Sequence, residues 1–403
     1  MPEKKKKKWI KKRHTAVRNV AAFVLKPYCA VKYGIKVKRF NEQGKRPYLI
    51  MLNHQTVFDQ FFVGMAFKGS VYYVASEDLF SNGPVSSLIR FLVDPIPIKK
   101  SVNDVRAVMN CMKVAREGGT IAIAPEGNRT YDGKLCYIKP SIVTLAKALK
   151  LPIAFYRIEG GYGVHPRWSD VVRKGKMVGY VSKVIEYEDF KDMPDEDLYS
   201  IILRELNVDE ANGKGTYKHK RLAEYLERVV YVCPHCGLSD FESNKDILKC
   251  KKCGMTVKYT ENKTFEAVCG EMPFKYVADW YEYQNKYISR LDLSSFENKP
   301  IYTDIVKFSE VIPYKKKQLI SKEAVLSVWP DKITVDHSGE HSVYKFDSVS
   351  SAAVLGRNKL NIYVGSQIFQ VYGGKRFCAL KYLNLYYHAL NLSKKVSNEY
   401  LGL

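Results

Sequence analysis

Between residues 46 and 212 short apolar runs alternate with stretches of helical periodicity, and this alternation limits the fold more than any other feature of the chain. Runs at 48–52, 71–75, 96–98, 120–124, 153–158 and 177–185 read as strands. Helical stretches at 56–67, 86–91, 102–117 and 141–149 lie between them, and a helical region over 195–228 follows. Strands separated by helices of this length need crossover connections. The expected fold class is therefore α/β, a mixed, mostly parallel sheet flanked by helices. In open sheets of this kind ligands gather beyond the carboxyl ends of the strands. The loops that follow the apolar runs are the places to look for chemistry.

The first such loop is Asn53-His54-Gln55-Thr56-Val57-Phe58-Asp59. A spacing of five residues turns about 140° around an ideal helix, so His54 and Asp59 cannot share one helical face. They can meet if His54 precedes the helix and Asp59 reaches back from its first turn. A carboxylate on one ring nitrogen would fix the imidazole tautomer, leaving the other nitrogen to act as a general base. The spacing alone is weak, because His165–Asp170 and His235–Asp240 repeat it. Only His54 both follows an apolar strand and opens a helical stretch.

A second loop, Pro125-Glu126-Gly127-Asn128-Arg129, follows the run at 120–124. Gly127 allows close backbone approach. Arg129 offers a planar fork for a phosphate, and Glu126 could hold Arg129 or bind an acceptor hydroxyl. Lys99-Lys100 closes the run at 96–98, and Lys139 adds a further cation.

Together these segments resemble the glycerol-phosphate/lysophosphatidate acyltransferase family. Asn53, His54 and Asp59 match its Asn-His-x4-Asp motif. Pro125, Glu126, Gly127 and Arg129 match its Phe-Pro-Glu-Gly-Thr-Arg motif. Ile96-Pro97-Ile98-Lys99-Lys100 and Leu151-Pro152-Ile153-Ala154 resemble two further motifs, in the same order. The resemblance spans about residues 15–212 and implies the acyltransferase fold. It implies that His54 and Asp59 are catalytic, and that Asn53, Lys100, Glu126, Gly127, Arg129 and Lys139 bind substrate. It also implies transfer from acyl-CoA or acyl carrier protein to a lysophospholipid, foremost 1-acyl-glycerol-3-phosphate. Another lyso-lipid or glycolipid acceptor is the alternative. Ala124, Asn128 and Lys100 depart from the family pattern, as does the insert at 160–168.

The rest of the chain adds a charged arm and two smaller units. Residues 1–45 carry 15 Lys and Arg against two Glu, a net +13 within the chain's +23. Ile10, Val17, Val20, Ala21, Val24 and Tyr28 fall on one helical stripe. The arm thus reads as an amphipathic helix docking on an anionic membrane. Its apolar run is too short for a signal peptide or a bilayer span. With nine cysteines in such a chain, the expected location is the cytoplasmic face of the cell membrane.

Cys233, Cys236, Cys250 and Cys253 form Cys-x2-Cys-x13-Cys-x2-Cys, the spacing of a zinc ribbon with a structural Zn2+. The expected division is 1–45 membrane-docking segment, 46–212 acyltransferase domain, 213–230 linker helix, 231–260 zinc ribbon, 261–319 irregular linker and 320–395 pleckstrin-homology-like β-rich domain ending in a helix. A zinc-ribbon nucleic-acid-binding protein is the rival from another class. It leaves the paired motifs at 53–59 and 125–129 as coincidence, so no nucleic-acid partner is expected.

Overall fold

The computed structural model describes residues 8–41, 46–99, 104–212, 215–313 and 315–395. Helix α1 (Lys12–Tyr33) leads into a seven-stranded sheet. Its strands are β1 (Ile35–Val37), β2 (Leu49–Leu52), β3 (Val71–Ser76), β4 (Ile96–Ile98), β5 (Thr120–Ile123), β6 (Ile153–Glu159) and β7 (Met177–Ile185), in spatial order β1-β7-β6-β2-β5-β3-β4. Strands β2 to β6 are mutually parallel, while β7 runs against β6 and β1 follows β7. Helices α2 (Asp59–Ala66), α3 (Pro84–Val93), α4 (Val105–Arg116), α5 (Ser141–Leu149), the single turns α6 (Gly161–Val164) and α7 (Tyr187–Phe190), and α8 (Asp195–Leu206) make the connections.

All four residues of β2 are buried, as expected of a strand covered on both faces. Leu49 and Met51 join one core and Ile50 and Leu52 the other, the alternation of a pleated strand. The order β6-β2-β5 fixes where chemistry can occur. These neighbours are parallel, so the loops after Leu52, Ile123 and Glu159 leave the same edge side by side. Strand β4 lies at the far edge, with β3 and β5 between it and β2. Lys100, at its end, falls outside the described residues.

The second half is less modular than the sequence reading. The helix expected over 195–228 ends at Leu206, followed by the turn-prone Asn207. The expected linker helix at 213–230 is an irregular segment with one 3-10 turn, Leu226–Arg228, among its described residues. The cysteine unit is built from the hairpin β8 (Val232–Cys233)–β9 (Gly237–Leu238) and the antiparallel sheet β10 (Phe241–Asn244), β11 (Ile247–Cys250), β12 (Thr256–Tyr259), β13 (Phe265–Cys269).

The stretch 261–319, read as irregular, contains helix α9 (Val277–Ser289) and strand β14 (Tyr302–Glu310). Trp280 Nε1 donates to Val232 O at 2.7 Å, and Gln284 Oε1 accepts from Tyr231 N at 2.8 Å. Helix α9 is thereby pinned to the ribbon. Strand β14 opens an antiparallel sheet with β15 (Gln318–Val328), β16 (Lys332–His337), β17 (Glu340–Lys345), β18 (Val349–Leu355), β19 (Lys359–Val364) and β20 (Gln367–Tyr372), in the order β17-β16-β15-β14-β20-β19-β18. Helix α10 (Ala379–Ser393) ends the described chain. Ribbon, α9, β-sheet and α10 share one hydrophobic core, which also takes in Trp168 and Tyr131 from the first half.

Candidate active site

His54 lies in the loop between β2 and α2, and α2 begins at Asp59 itself. The helix is thus shorter than the sequence pattern, which placed its start at residue 56. Asp59 turns its carboxylate back over the loop. Oδ2 accepts from Gln55 N at 2.7 Å, and Oδ1 accepts from Thr56 N at 2.9 Å and Thr56 Oγ1 at 2.7 Å. Those donors hold the loop in the bend that brings His54 Nδ1 to 2.8 Å from Oδ2. A carboxylate only accepts, so Nδ1 carries the proton and Nε2 the lone pair. Asp59 is 1% exposed and the His54 side chain 28%, which leaves the imidazole reachable from outside.

Two residues expected to touch substrate are spent on the frame. Asn53 continues the β2–β6 pairing with its side chain: Nδ2 donates to Ile158 O and Oδ1 accepts from Ile158 N, both at 2.8 Å. Glu126 accepts from His54 N at 2.7 Å through Oε1 and from Cys136 N at 2.9 Å through Oε2. Burial pushes its carboxyl up to about 8 against the pull of those two N–H groups. Gly127 takes φ +66°, where a side chain would be strained, and turns the chain away from β5. Thr130 N then donates to His54 O at 3.2 Å, locking the second loop to the first. Lys139 is exposed before α5, and among the described residues its ammonium pairs with none of these groups.

Beyond β6 the insert at 160–168 folds over this pair of loops. A Cβ on Gly161 would lie 2.5 Å from Gln55 Cβ, so only glycine permits this approach. Arg167 is buried, with its guanidinium donating to Arg129 O at 3.0 Å and to Gly356 O and Val354 O of the C-terminal sheet at 2.9 and 3.0 Å. Arg357, on the β18–β19 turn, reaches His165 Nε2 at 2.8 Å and Asp170 Oδ1 at 3.4 Å.

The result is a dense cluster of guanidiniums next to the His54 loop. Burial, reinforced by Arg167 and Arg357, pushes Arg129 down to about 9. Burial and the cations Arg129, Arg357 and Arg173 push His165 down to about 3. Tyr33, from the end of α1, packs with tilted rings near His165 and Phe58, centroids 5.8 and 5.0 Å apart, closing one side. The sequence reading named His54, Asp59 and Arg129, and the structure places them on two adjoining loops. Thr56, whose hydroxyl precedes an acid by three residues, carried a local capping signal. Arg357 carried none, because its partners lie more than 180 residues away.

The four cysteines come together as expected, with their sulfurs all within 4.8 Å of one another. Cys233–Cys253 and Cys236–Cys250 are each 3.6 Å apart. Tetrahedral zinc with Zn–S near 2.3 Å needs sulfurs about 3.8 Å apart, so the set fits a metal.

The Acyltransferase family model matches residues 34–158. Among solved structures, the chain is similar to the crystal structure of the 1-acyl-sn-glycerophosphate (LPA) acyltransferase PlsC from Thermotoga maritima. The identity is 20%, over 49% of this chain and 82% of that one, with a TM-score of 0.40. No curated protein matches the chain. Residues 34–158, which include the His54–Asp59 loop, are an acyltransferase-family domain.

Proposed function

We propose that the protein moves a fatty acyl group from a thioester donor, acyl-CoA or acyl carrier protein, to the free hydroxyl of a lysophospholipid, foremost 1-acyl-glycerol-3-phosphate, in phospholipid synthesis. The 2.8 Å contact between His54 Nδ1 and Asp59 carries this reading. With Nδ1–H held by the carboxylate, Nε2 takes the proton of the acceptor hydroxyl as its oxygen attacks the thioester carbon. The tetrahedral intermediate collapses by breaking the C–S bond, and the imidazolium returns its proton to the leaving sulfur. Such positioned proton transfer contributes roughly 10²–10⁴-fold in rate. Asn53, Glu126 and Gly127 act as the frame, Arg129 holds the acceptor phosphate, and Lys139 and Lys100 add positive charge to the approach.

The reaction would take place on the anionic cytoplasmic face of the membrane. Among the described residues no helix is long and apolar enough to cross a bilayer. Helix α1 instead exposes Val20, Phe23, Val24 and Val31, and α3 exposes Val85, Leu88 and Phe91. Arg18 is turned inward, donating to Gly64 O at 3.0 Å and to Phe67 O, while the exposed apolar residues are flanked by exposed Lys26 and Lys32. An apolar face on a strongly basic protein suits a monotopic position in anionic lipid. The four thiolates would hold a structural Zn2+ that ties the β8–β9 hairpin to β11, with no open position for chemistry.

The test supplies the full chain with labelled acyl-CoA or acyl carrier protein and lysophosphatidate in anionic vesicles. Acyl transfer is expected, with His54→Ala lowering it at least a hundredfold and Phe23→Asp reducing vesicle co-sedimentation. Transfer unchanged in His54→Ala would sink the mechanism, and co-sedimentation unchanged in Phe23→Asp would sink the docking face.

A further inference from the structure

We infer that Arg357, delivered by the β18–β19 turn of the C-terminal sheet, is a second cation of the acceptor site and grips, together with Arg129, a phosphate monoester. The inference rests on the acyl-transfer reading and assigns part of its substrate recognition to a domain outside residues 34–158.

The first observation is placement. Arg167 clamps the turn to the acyltransferase half through Gly356 O and Val354 O while also holding Arg129 O. One guanidinium thus fixes the relative positions of Arg129 and Arg357. The second is charge. Arg167 and Arg357 both act on Arg129, whose own acidic neighbour is Asp59, while the carboxylate beside Arg357 is Asp170, at 3.4 Å. Asp170 is already committed to Arg228, at 2.7 and 3.3 Å. Arg357's closest partner is His165 Nε2, which must accept, since a guanidinium only donates. A neutral imidazole orients Arg357 without cancelling its charge. Arg129 is buried and Arg357 is 28% exposed beside it, and a buried guanidinium crowded by other cations is costly unless an anion joins it.

The third observation is unsatisfied donors. Arg129 Nη1 and Arg357 Nε are both buried with no hydrogen-bond partner among the described residues. Buried N–H groups of this kind call for an acceptor. A phosphate dianion supplies several oxygens in the geometry a guanidinium fork prefers.

Both substrates can bring phosphate, and distance decides between them. Arg129 is one residue from Thr130, whose N–H donates to His54 O. In a lysophosphatidate the reacting hydroxyl and the phosphate are separated by a short glycerol backbone. In acyl-CoA or acyl carrier protein the thioester is a full pantetheine arm away from the phosphates. The cluster beside the base therefore suits the acceptor.

The experiment compares wild type, Arg357→Gln and Arg357→Lys as full chains in detergent micelles. For lysophosphatidate, Arg357→Gln is expected to raise KM roughly 10–100-fold, the usual loss for a charge-assisted hydrogen bond, with kcat nearly unchanged. KM for acyl-CoA, and KM for the uncharged acceptor monoacylglycerol, should not move. Arg357→Lys should fall between, keeping the charge but losing the fork. Equal loss on charged and uncharged acceptors, or a loss confined to acyl-CoA, overturns the assignment. If wild type transfers no acyl group, the acyl-transfer reading fails, and calorimetric titration with lysophosphatidate then decides the anion site alone. Weaker binding to Arg357→Gln upholds the site and equal binding refutes it.

Discussion

His54–Asp59 and His165–Asp170 have the same residue types at the same spacing on neighbouring loops, and they do opposite things. In the first, Asp59 closes directly on Nδ1, and the imidazole faces outward at the end of β2. In the second, the histidine hydrogen-bonds Arg357 and the aspartate hydrogen-bonds Arg228, with His165 3% exposed. What separates them is the backbone. Asp59 sits at the first turn of a helix whose preceding loop offers Gln55 N and Thr56 N, which aim the carboxylate back at residue 54. Asp170 follows Pro166 in an irregular segment with no such donors aiming it at His165. A pair becomes a base and its orienting carboxylate only where the local fold points both side chains the same way.

The largest expected contrast is kinetic. Asp59→Asn should lower kcat roughly 10²–10⁴-fold by disturbing the tautomer and the imidazolium. Asp170→Asn should leave kcat close to wild type but cost about 2 kcal/mol of stability, because it weakens the partner of buried Arg228. Parallel kinetics and urea unfolding on both variants would break the comparison if Asp170→Asn slowed transfer as much.

A smaller effect lies in pH. His165 titrates at about 3 in the folded chain, below its usual 6.5, so the unfolded state binds the extra proton first. Its neutral form contributes stability that is fully present above pH 6.5 and lost progressively as pH falls towards 3. By pH 5 the loss should reach about 2 kcal/mol. Unfolding measured between pH 8 and 5 should show this slope in wild type and a flatter profile in His165→Phe; identical profiles would refute it.

The smallest effect belongs to the third copy. His235 is exposed and contacts Glu271 O, while Asp240 faces Lys381. His235→Ala should change stability by less than about 0.5 kcal/mol and leave bound zinc unchanged. Cys233→Ser combined with Cys250→Ser should abolish zinc. Metal analysis that finds zinc retained in the double variant, or none in wild type, would dismiss the ribbon as a zinc site.

The sheet was readable because β2, β5 and β6 are apolar on both faces and separated by helices of crossover length. Strand β1 escaped notice because three residues among lysines at a sheet edge carry almost no periodic signal. Helix α9 was hidden by its aromatic, tyrosine-rich face, which packs on the ribbon rather than forming an aliphatic stripe. The His54–Asp59 contact was readable since it is made within one short loop. Strand order is not written locally, so the sequence did not reveal that the run at 96–98 forms the far-edge strand β4. Asn53 and Glu126 matched a motif, but matching does not say whether a polar side chain faces a ligand or the backbone.

The three acceptors of Arg167 bear on how the chain is made. Arg129 O is 38 residues behind it, whereas Val354 O and Gly356 O are 187 and 189 residues ahead. At ordinary translation speeds of about 5–20 residues per second, the ribosome needs roughly 10–40 s to supply them. Throughout that interval the nascent acyltransferase sheet can close around His54 and Asp59, yet its central arginine holds one carbonyl of three. Birth order thus separates what the fold joins: the strands around the base emerge first, and the turn that secures their arginines emerges long after them.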